Sequence, residues 1–283
     1  MASQRKFPID RGACRKQRWE FAARRFGQRV MSIPIDLSRK VALITGASQG
    51  IGARVARTFH QAGAVVVINH PGNAGTAKDA ASLSAELNAG RDGSAEVEAA
   101  DVSSAEAVKG MMESIRARHG GLDILINNAA IIRDRTLAKM TLDEWRAVMD
   151  VNLGGVFFCT KHGLEIMRDG GSIVSLGSIS AFQGFHGQAN YAAAKAGVQA
   201  MMRVVSREAA RRGIRANAIA PGVIDTSMAA TIPEAVRGEM LRNIPLGRFG
   251  DPAEVAAVAL FLCSSLATYV TGQTLEVNGG WRG

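Results

Sequence analysis

The chain contains two tyrosines, and one of them, Tyr191, stands four residues before Lys195 in Gln188-Ala189-Asn190-Tyr191-Ala192-Ala193-Ala194-Lys195. On a helix that spacing puts both side chains on one face. A free tyrosine has a pKa of about 10, too high for ready proton exchange at neutral pH. A neighbouring ammonium stabilises the phenolate and lowers that value. The pair could therefore act as general acid to a carbonyl or general base to an alcohol. An ordinary surface pair would have the same spacing, so the motif alone does not decide. Ser178 lies thirteen residues upstream, in Leu176-Gly177-Ser178-Ile179-Ser180, just after an apolar strand-like run. A hydroxyl there could polarise a carbonyl; serine is also a common loop former at strand ends.

A second constellation is Thr45-Gly46-Ala47-Ser48-Gln49-Gly50-Ile51-Gly52, between a strand-like run and a helical stretch. Backbone N–H groups and the dipole of a helix N-terminus favour an anion such as a pyrophosphate. Gly46 is expected to permit the turn, Gly50 to let the backbone approach the phosphate, and Gly52 to let helix and strand pack closely. The spacing is GxxxGxG, not the more widespread GxGxxG. An acidic residue ~20 positions further on would hold a ribose 2′-hydroxyl and select NAD. Here the chain reads Asn69-His70-Pro71-Gly72-Asn73, and the next acid is Asp79. NADP is therefore the expected cofactor ahead of NAD, although no arginine occupies this turn or position 49.

The elements that must position these groups alternate along the chain. Strand-like runs fall at 40–45, 64–69, 94–99, 122–127, 171–177, 214–219 and 273–277. Helix-period stretches fall at 50–62, 75–89, 103–119, 141–168, 189–213 and 251–264. This alternation predicts βαβ units in one α/β domain, a doubly wound, Rossmann-type parallel sheet with helices on both faces. Residues 225–245, with Pro233 and Pro245, interrupt it and read as a helical excursion, a candidate lid.

Composition narrows the function further. Of 34 Lys and Arg, nine lie in residues 1–30, beside only two of the 25 Asp and Glu, so the formal charge of +9 resides mainly in that segment. Residues 1–30 read as a poorly ordered basic extension preceding a domain over 31–283. A targeting peptide is disfavoured by Asp10, Glu20 and the lack of an apolar core, and the nearly neutral remainder argues against nucleic-acid binding. No run approaches the ~18 apolar residues of a membrane span. The three widely spaced cysteines, Cys14, Cys159 and Cys263, exclude a disulfide scaffold and suit a reducing cytoplasm. The five histidines lack HxxH and HxxxH spacing, so no metal is expected.

Together these motifs, with Asp101-Val102, Asn127-Asn128-Ala129-Ala130, Asn152 and Pro221-Gly222, resemble those of short-chain dehydrogenases/reductases in order and spacing across residues ~38–283. Ala130 departs from the family's usual glycine. The resemblance implies that Tyr191 is the acid/base and that Lys195 lowers its pKa and holds the nicotinamide ribose. It implies that Ser178 holds the substrate oxygen, and that Asn152 kinks its helix and anchors a water for proton relay. The cofactor would also meet Gly46, Ser48, Gln49, Gly50, Ile51, Gly52, Asn69 and His70. Asp101 and Val102 would flank the adenine, Asn128 the ribose region, and Ile224 and Thr226 the nicotinamide, with Ala129, Pro221 and Gly222 also meeting the cofactor.

Stretches around Ile132-Arg133-Asp134, Ala189-Asn190-Tyr191 and Ile244–Gly250 look most similar to 3-oxoacyl-(acyl-carrier-protein) reductases and acetoacetyl-CoA reductases. The implied substrate is a 3-oxoacyl thioester on acyl carrier protein or CoA, with another alcohol (sugar, polyol or steroid) or a non-catalytic dinucleotide sensor as alternatives. Lys139 and Arg212 match basic positions that receive an acidic carrier protein, though both could be ordinary solvated residues. The resemblance also implies a homotetramer. The predicted helices 141–168 and 189–213 carry Trp145, Val148, Phe157, Val198, Met202 and Val204, among more apolar residues than one sheet-facing stripe needs.

Overall fold

The computed structural model describes residues 34–226, 229 and 234–281. The basic extension expected over residues 1–30 lies outside the described residues, as does the centre of the 225–245 excursion.

Seven parallel strands form one sheet in the order β3-β2-β1-β4-β5-β6-β7. They are β1 (Val41–Ile44), β2 (Val65–His70), β3 (Ala95–Ala99), β4 (Leu122–Asn127), β5 (Met167–Leu176), β6 (Arg215–Pro221) and β7 (Thr274–Val277). The central strands read as unbroken apolar runs because helices cover both faces. Successive side chains alternate between two cores. Ala42, Ile44, Val66, Ile68, Ile124 and Ile126 pack on α1 (Gly50–Gln61) and α8 (Pro252–Cys263) through Val55, Phe59, Val255 and Leu262. Leu43, Val67, Leu125 and Ile173 face the other way. They meet Val108 and Met112 of α3 (Ala105–His119), Val156 of α5 (Gly155–Ile166), and Val198 and Met202 of α6 (Ala189–Glu208). The other longer α-helices among the described residues are α2 (Ala74–Gly90), α4 (Leu142–Met149) and α7 (Glu234–Asn243), and a single helical turn spans Ser180–Gln183.

Strand order reverses between β1 and β4, whose pairing runs Ala42–Ile124 to Ile44–Ile126. Loops leaving the carboxyl ends of those strands diverge there, which opens a crevice where doubly wound sheets bind ligands.

The single helix expected over 141–168 is three pieces. A π-turn over Asp150–Gly154 separates α4 from α5 and contains Asn152. The helix also stops at Ile166, because Met167 already pairs with Leu122 and the Gly170-Gly171 stretch shifts the register before Ile124 meets Ser172. Apolar spacing continues through Met167, so periodicity alone overran the boundary. Likewise α6 ends at Glu208, followed by a short 3₁₀ turn, Ala210–Arg212, and the left-handed Gly213.

Candidate active site

The glycine loop leaves β1 at the switch point. Gly46 and Gly50 adopt left-handed φ values of +61° and +58°. At Gly46 a Cβ would lie 2.8 Å from the Ala129 Cα. At Gly52 it would meet the Asn128 Nδ2 at 2.5 Å and the Gly46 carbonyl at 2.6 Å, so this glycine admits the loop's own backbone more than a strand. At Gly50 the nearest atom is the Thr226 Cγ2 at 3.8 Å, which leaves the conformation, not space, as the constraint and brings the segment after β6 beside the loop.

Helices α2, α3, α4 and α8 begin with side-chain caps from Asn73, Ser104, Thr141 and Asp251. No side chain caps α1: Gln49 stands at its N-cap in extended backbone, and the first turn holds no acid. A donor-rich helix start behind a glycine cradle fits the pyrophosphate of a dinucleotide.

Several residues expected to meet the cofactor also brace this cradle. Asn69 is buried; its Oδ1 accepts from the Gly46 N–H (3.3 Å) and its Nδ2 donates to the Ala100 carbonyl (2.9 Å). Asn128 donates from Nδ2 to the carbonyls of Thr45 (2.8 Å) and Gly46 (3.0 Å). The Thr45 hydroxyl, not singled out from sequence, accepts from the N–H groups of Asn128 (2.9 Å) and Ala129 (3.1 Å). The His70 Nδ1 accepts from the Gly72 N–H at 3.1 Å and so shapes the turn after β2. Asp101 is exposed and accepts from the Ser103 N–H and hydroxyl, while Val102 is buried close to Gly155. Ser48 is buried and Ile51 half-buried at the start of α1. After β6, Gly222 donates to the Val277 carbonyl (2.9 Å), the Pro221 carbonyl accepts from the Ile179 N–H (3.1 Å), and Ile224 bridges to Gly250.

The second group gathers beyond β4 and β5. Tyr191 and Lys195 share one face of α6, with the Lys195 Nζ 5.6 Å from the centroid of the tyrosine ring. Lys195 is 2% exposed, and its ammonium donates to the Leu176 carbonyl at 2.8 Å. Gln199, one turn further along the same face, donates to the Ser178 carbonyl at 3.1 Å. Gly177 permits this approach, since a Cβ there would lie 2.7 Å from the Gln199 Nε2. Asn190 is fully buried and donates to the carbonyls of Arg133 (3.1 Å) and Glu144 (3.3 Å), while its Oδ1 accepts from the Tyr191 N–H. Asn152 grips one residue at both ends: its Oδ1 accepts from the Ile131 N–H (2.8 Å) and its Nδ2 donates to the Ile131 carbonyl (2.9 Å). The expected kink is thus a π-turn tied to the loop after β4. Gln199 was legible as the third member of the 191/195/199 spacing; Thr45 and Asn190 had no signal beyond polarity.

The electrostatics differ from the sequence expectation. Burial pushes the Tyr191 phenol up to about 12; the Ser178 hydroxyl pulls it back in part and the Asp134 charge raises it. Burial likewise pushes the Lys195 ammonium down to about 8. A lowered tyrosine pKa was expected from the lysine. Taking both groups out of water instead disfavours the charged form of each. Tyr191 is thereby held as a proton-bearing phenol across the neutral range.

Lys139 is exposed, and Arg212 donates to the Asp169 carboxylate (2.9 Å) and to the carbonyls of Leu164 (2.7 Å) and Met167. It closes the end of α5 while remaining exposed.

A doubly wound parallel sheet, a glycine cradle at its switch point and a Tyr–Lys pair beside it define a dinucleotide-dependent oxidoreductase. The chain belongs to the short-chain dehydrogenase/reductase family. Residues 46–282 match the family model described as enoyl-(acyl carrier protein) reductase. The chain is 44% identical over 248 residues to the 3-oxoacyl-(acyl-carrier-protein) reductase FabG of Pseudomonas aeruginosa, covering 87% of this chain and 98% of that one. It is 41% identical to the FabG of Aquifex aeolicus at the same coverage. Among solved structures, a short-chain dehydrogenase/reductase described as a glucose/ribitol dehydrogenase from Brucella melitensis superposes with a TM-score of 0.83 at 33% identity. That match covers 89% of this chain and all of the other. A blue fluorescent protein from a metagenomic library, in complex with NADPH, gives 0.83 at 34% identity over 88% of this chain and 100% of that one. Nicotinamide dinucleotide is accordingly the class of cofactor this chain binds.

Proposed function

We propose that the protein is an NADPH-dependent reductase of 3-oxoacyl thioesters. The observation that carries this reading is the convergence of Ser178, Tyr191 and Lys195 at the carboxyl end of β5, on the same rim of the sheet as the glycine cradle. The FabG relatives supply the substrate class. A cavity of about 360 Å³ adjoins the site, with Leu137, Phe185 and Ala192 in its wall, and suits an acyl chain. The missing carboxylate at the end of β2, and the absence of an acid in the first turn of α2, favour NADP over NAD.

When bound, the nicotinamide supplies a hydride to the carbonyl carbon. Tyr191 donates its proton to the carbonyl oxygen, so that ketone, hydride and proton become an alcohol. Lys195 faces the phenolate that remains and stabilises it. Asn152 and Asn190 hold the loop after β4 against α4 and α6, and so fix the distance between substrate and tyrosine. Assembly belongs to the same reading. Val148, Val156, Val198 and Met202 are buried within the chain, whereas Trp145, Phe157 and Val204 remain exposed on α4, α5 and α6. That apolar surface favours pairing of copies through these helices, as in a homotetramer. The buried, unpaired Cys159 and Cys263 are consistent with a reducing cytoplasm.

The test is an assay of cofactor oxidation with a 3-oxoacyl-CoA, the matching acyl-carrier-protein thioester and a polyol panel, each with NADPH and NADH. The expected result is thioester reduction with NADPH, lost in Tyr191→Phe. Turnover of polyols alone would overturn the substrate class.

A further inference from the structure

We propose that Trp281 is a positioning residue that limits the length of acyl chain the enzyme accepts, acting through the ring of Phe185. Phe185 belongs to two environments at once. With Leu137 and Ala192 it lines the cavity of about 360 Å³ beside the catalytic helix. It also packs against a small apolar cluster of Ile179, Ile244, Phe249 and Trp281, separate from the two cores that flank the sheet. Its ring meets the Trp281 indole edge to face, with centroids 5.2 Å apart and planes at 65°.

The backbone on either side of this contact differs in freedom. Phe185 lies in no helix or strand, between Gly184 and Gly187, which are left-handed at φ +64° and +84°. No regular element dictates where its ring sits, so packing does. Trp281 is held more firmly. After β7 the chain turns back through Gly279 and Gly280, at φ +67° and +84°. The Trp281 N–H donates to the Asn278 carbonyl (3.3 Å), and the Trp281 carbonyl accepts from the Asn278 Nδ2 (3.0 Å). Only 6% of the residue is exposed. The indole is thus a backstop that keeps Phe185 at the cavity, and an edge-to-face contact is favourable in itself.

Removing the backstop has a definite direction. A smaller side chain at position 281 leaves a buried apolar void, which is costly unless a neighbour collapses into it. Phe185 is the neighbour with the least constrained backbone. Its ring withdraws into the void, and the cavity deepens by the volume it leaves. Each substrate methylene newly buried there is worth about fourfold in affinity.

The inference rests on the thioester-reductase reading, and its test separates the two. kcat and KM are measured with NADPH for 3-oxoacyl-CoA substrates of four to twelve carbons. Wild type should favour the short end. In Trp281→Leu, kcat/KM for the longest substrate relative to the shortest should rise about four- to fifteenfold, the worth of one or two more buried methylenes. The gain should lie in the KM of the long substrate, with kcat on the short one within about twofold of wild type. Trp281→Phe keeps an aromatic edge and should retain most of the original preference. Phe185→Leu should give the same shift as Trp281→Leu, and combining the two should add nothing, because the indole acts only through that ring. The proposal is overturned by a wild type that favours the long end, by a folded Trp281→Leu enzyme with the wild-type profile, by a loss shared equally among chain lengths, or by a further shift in the double variant.

A second measurement needs neither turnover nor a leucine variant. Octanoyl-CoA, which has no 3-oxo group to reduce, should press Phe185 onto the indole and change tryptophan emission, whereas acetyl-CoA should not. The change should vanish in Trp281→Phe, which leaves Trp19 and Trp145 as the emitters. No response, an equal response to both ligands, or a response that persists in Trp281→Phe counts against the proposal. A wild-type enzyme that reduces no 3-oxoacyl thioester, yet shows the emission change with octanoyl-CoA alone, would overturn the substrate reading and leave the backstop standing.

Discussion

The two halves of the cleft are built by different means. On the side of β1 and β2 the cradle is backbone: two left-handed glycines, an uncapped helix start, and asparagines whose amides hold loops in place. On the side of β4 and β5 the working parts are side chains held by other side chains, with Lys195, Asn190 and Gln199 all buried. A backbone cradle recognises what every dinucleotide shares and tolerates little change in shape. A side-chain site is tuned through hydrogen bonds and protonation. Substitutions on the two sides should therefore fail differently, one through binding and the other through turnover.

The largest separation is expected from Tyr191→Phe. The ring still packs on α6, but the proton donor is lost, and kcat should fall by about 100-fold or more. Fluorescence titration should still give near-normal NADPH affinity. Near-normal turnover would remove Tyr191 from the chemistry.

On the opposite side, Gly46→Ala should spare the chemical groups and cripple binding. The new Cβ would press on the Ala129 backbone at 2.8 Å in a left-handed conformation, so the loop itself must move. Strain of about 1–3 kcal/mol is expected in the melting curve, with cofactor affinity down about tenfold or more. Gly50→Ala carries the conformational strain without the clash and should lose less on both measures. Equal losses at the two glycines would show that conformation alone governs the cradle.

This division also explains what could be read from sequence. The glycine spacing, the apolar strands and the Tyr–Lys pair are local patterns, and each survives in the structure at the expected place. What escaped was long-range. The kink at Asn152 was expected only through the resemblance; its form, a π-turn over Asp150–Gly154, has no propensity signature and exists where Asn152 reaches the Ile131 backbone. The register shift that ends the long helix early depends on Leu122, far upstream. Asn69 and Asn128 stood at positions that suggested cofactor contact; that their amides also join the glycine loop to the segments after β3 and β4 could not be read from spacing. Arg212 also pairs with Asp169, a partner that spacing could not foretell.

The next prediction sharpens the electrostatic side of the comparison. With Tyr191 pushed up to about 12, its proton is present throughout the neutral range, and carbonyl reduction does not wait on its titration. Lys195, pushed down to about 8, loses its charge just above neutrality. The ammonium is needed to stabilise the phenolate left after proton transfer, so kcat/KM for reduction should be level up to about pH 8. Above that it should fall toward tenfold per pH unit. Alcohol oxidation begins from the phenolate and should rise with pH instead. Parallel profiles in the two directions would show that Lys195 does not act on Tyr191.

The smallest effect is expected at the far edge of the cradle, where the choice between the two dinucleotides is made. His70 ends β2, is 4% exposed, and accepts from the Gly72 N–H through its Nδ1. An aspartate at this position can accept the same bond, so the turn should survive His70→Asp. What changes is charge: a carboxylate beside the expected place of the adenosine 2′-phosphate repels it, while a free 2′-hydroxyl can donate to it. Partly screened repulsion of this kind is worth about 1 kcal/mol. The preference for NADPH over NADH should therefore shrink by roughly three- to tenfold, chiefly through weaker NADPH binding. His70→Asn supplies an acceptor without the charge and should leave the preference near its original value. An equal shift in both variants would point to the shape of the turn, and a wild-type enzyme that already prefers NADH tenfold would show that the missing acid does not set cofactor choice.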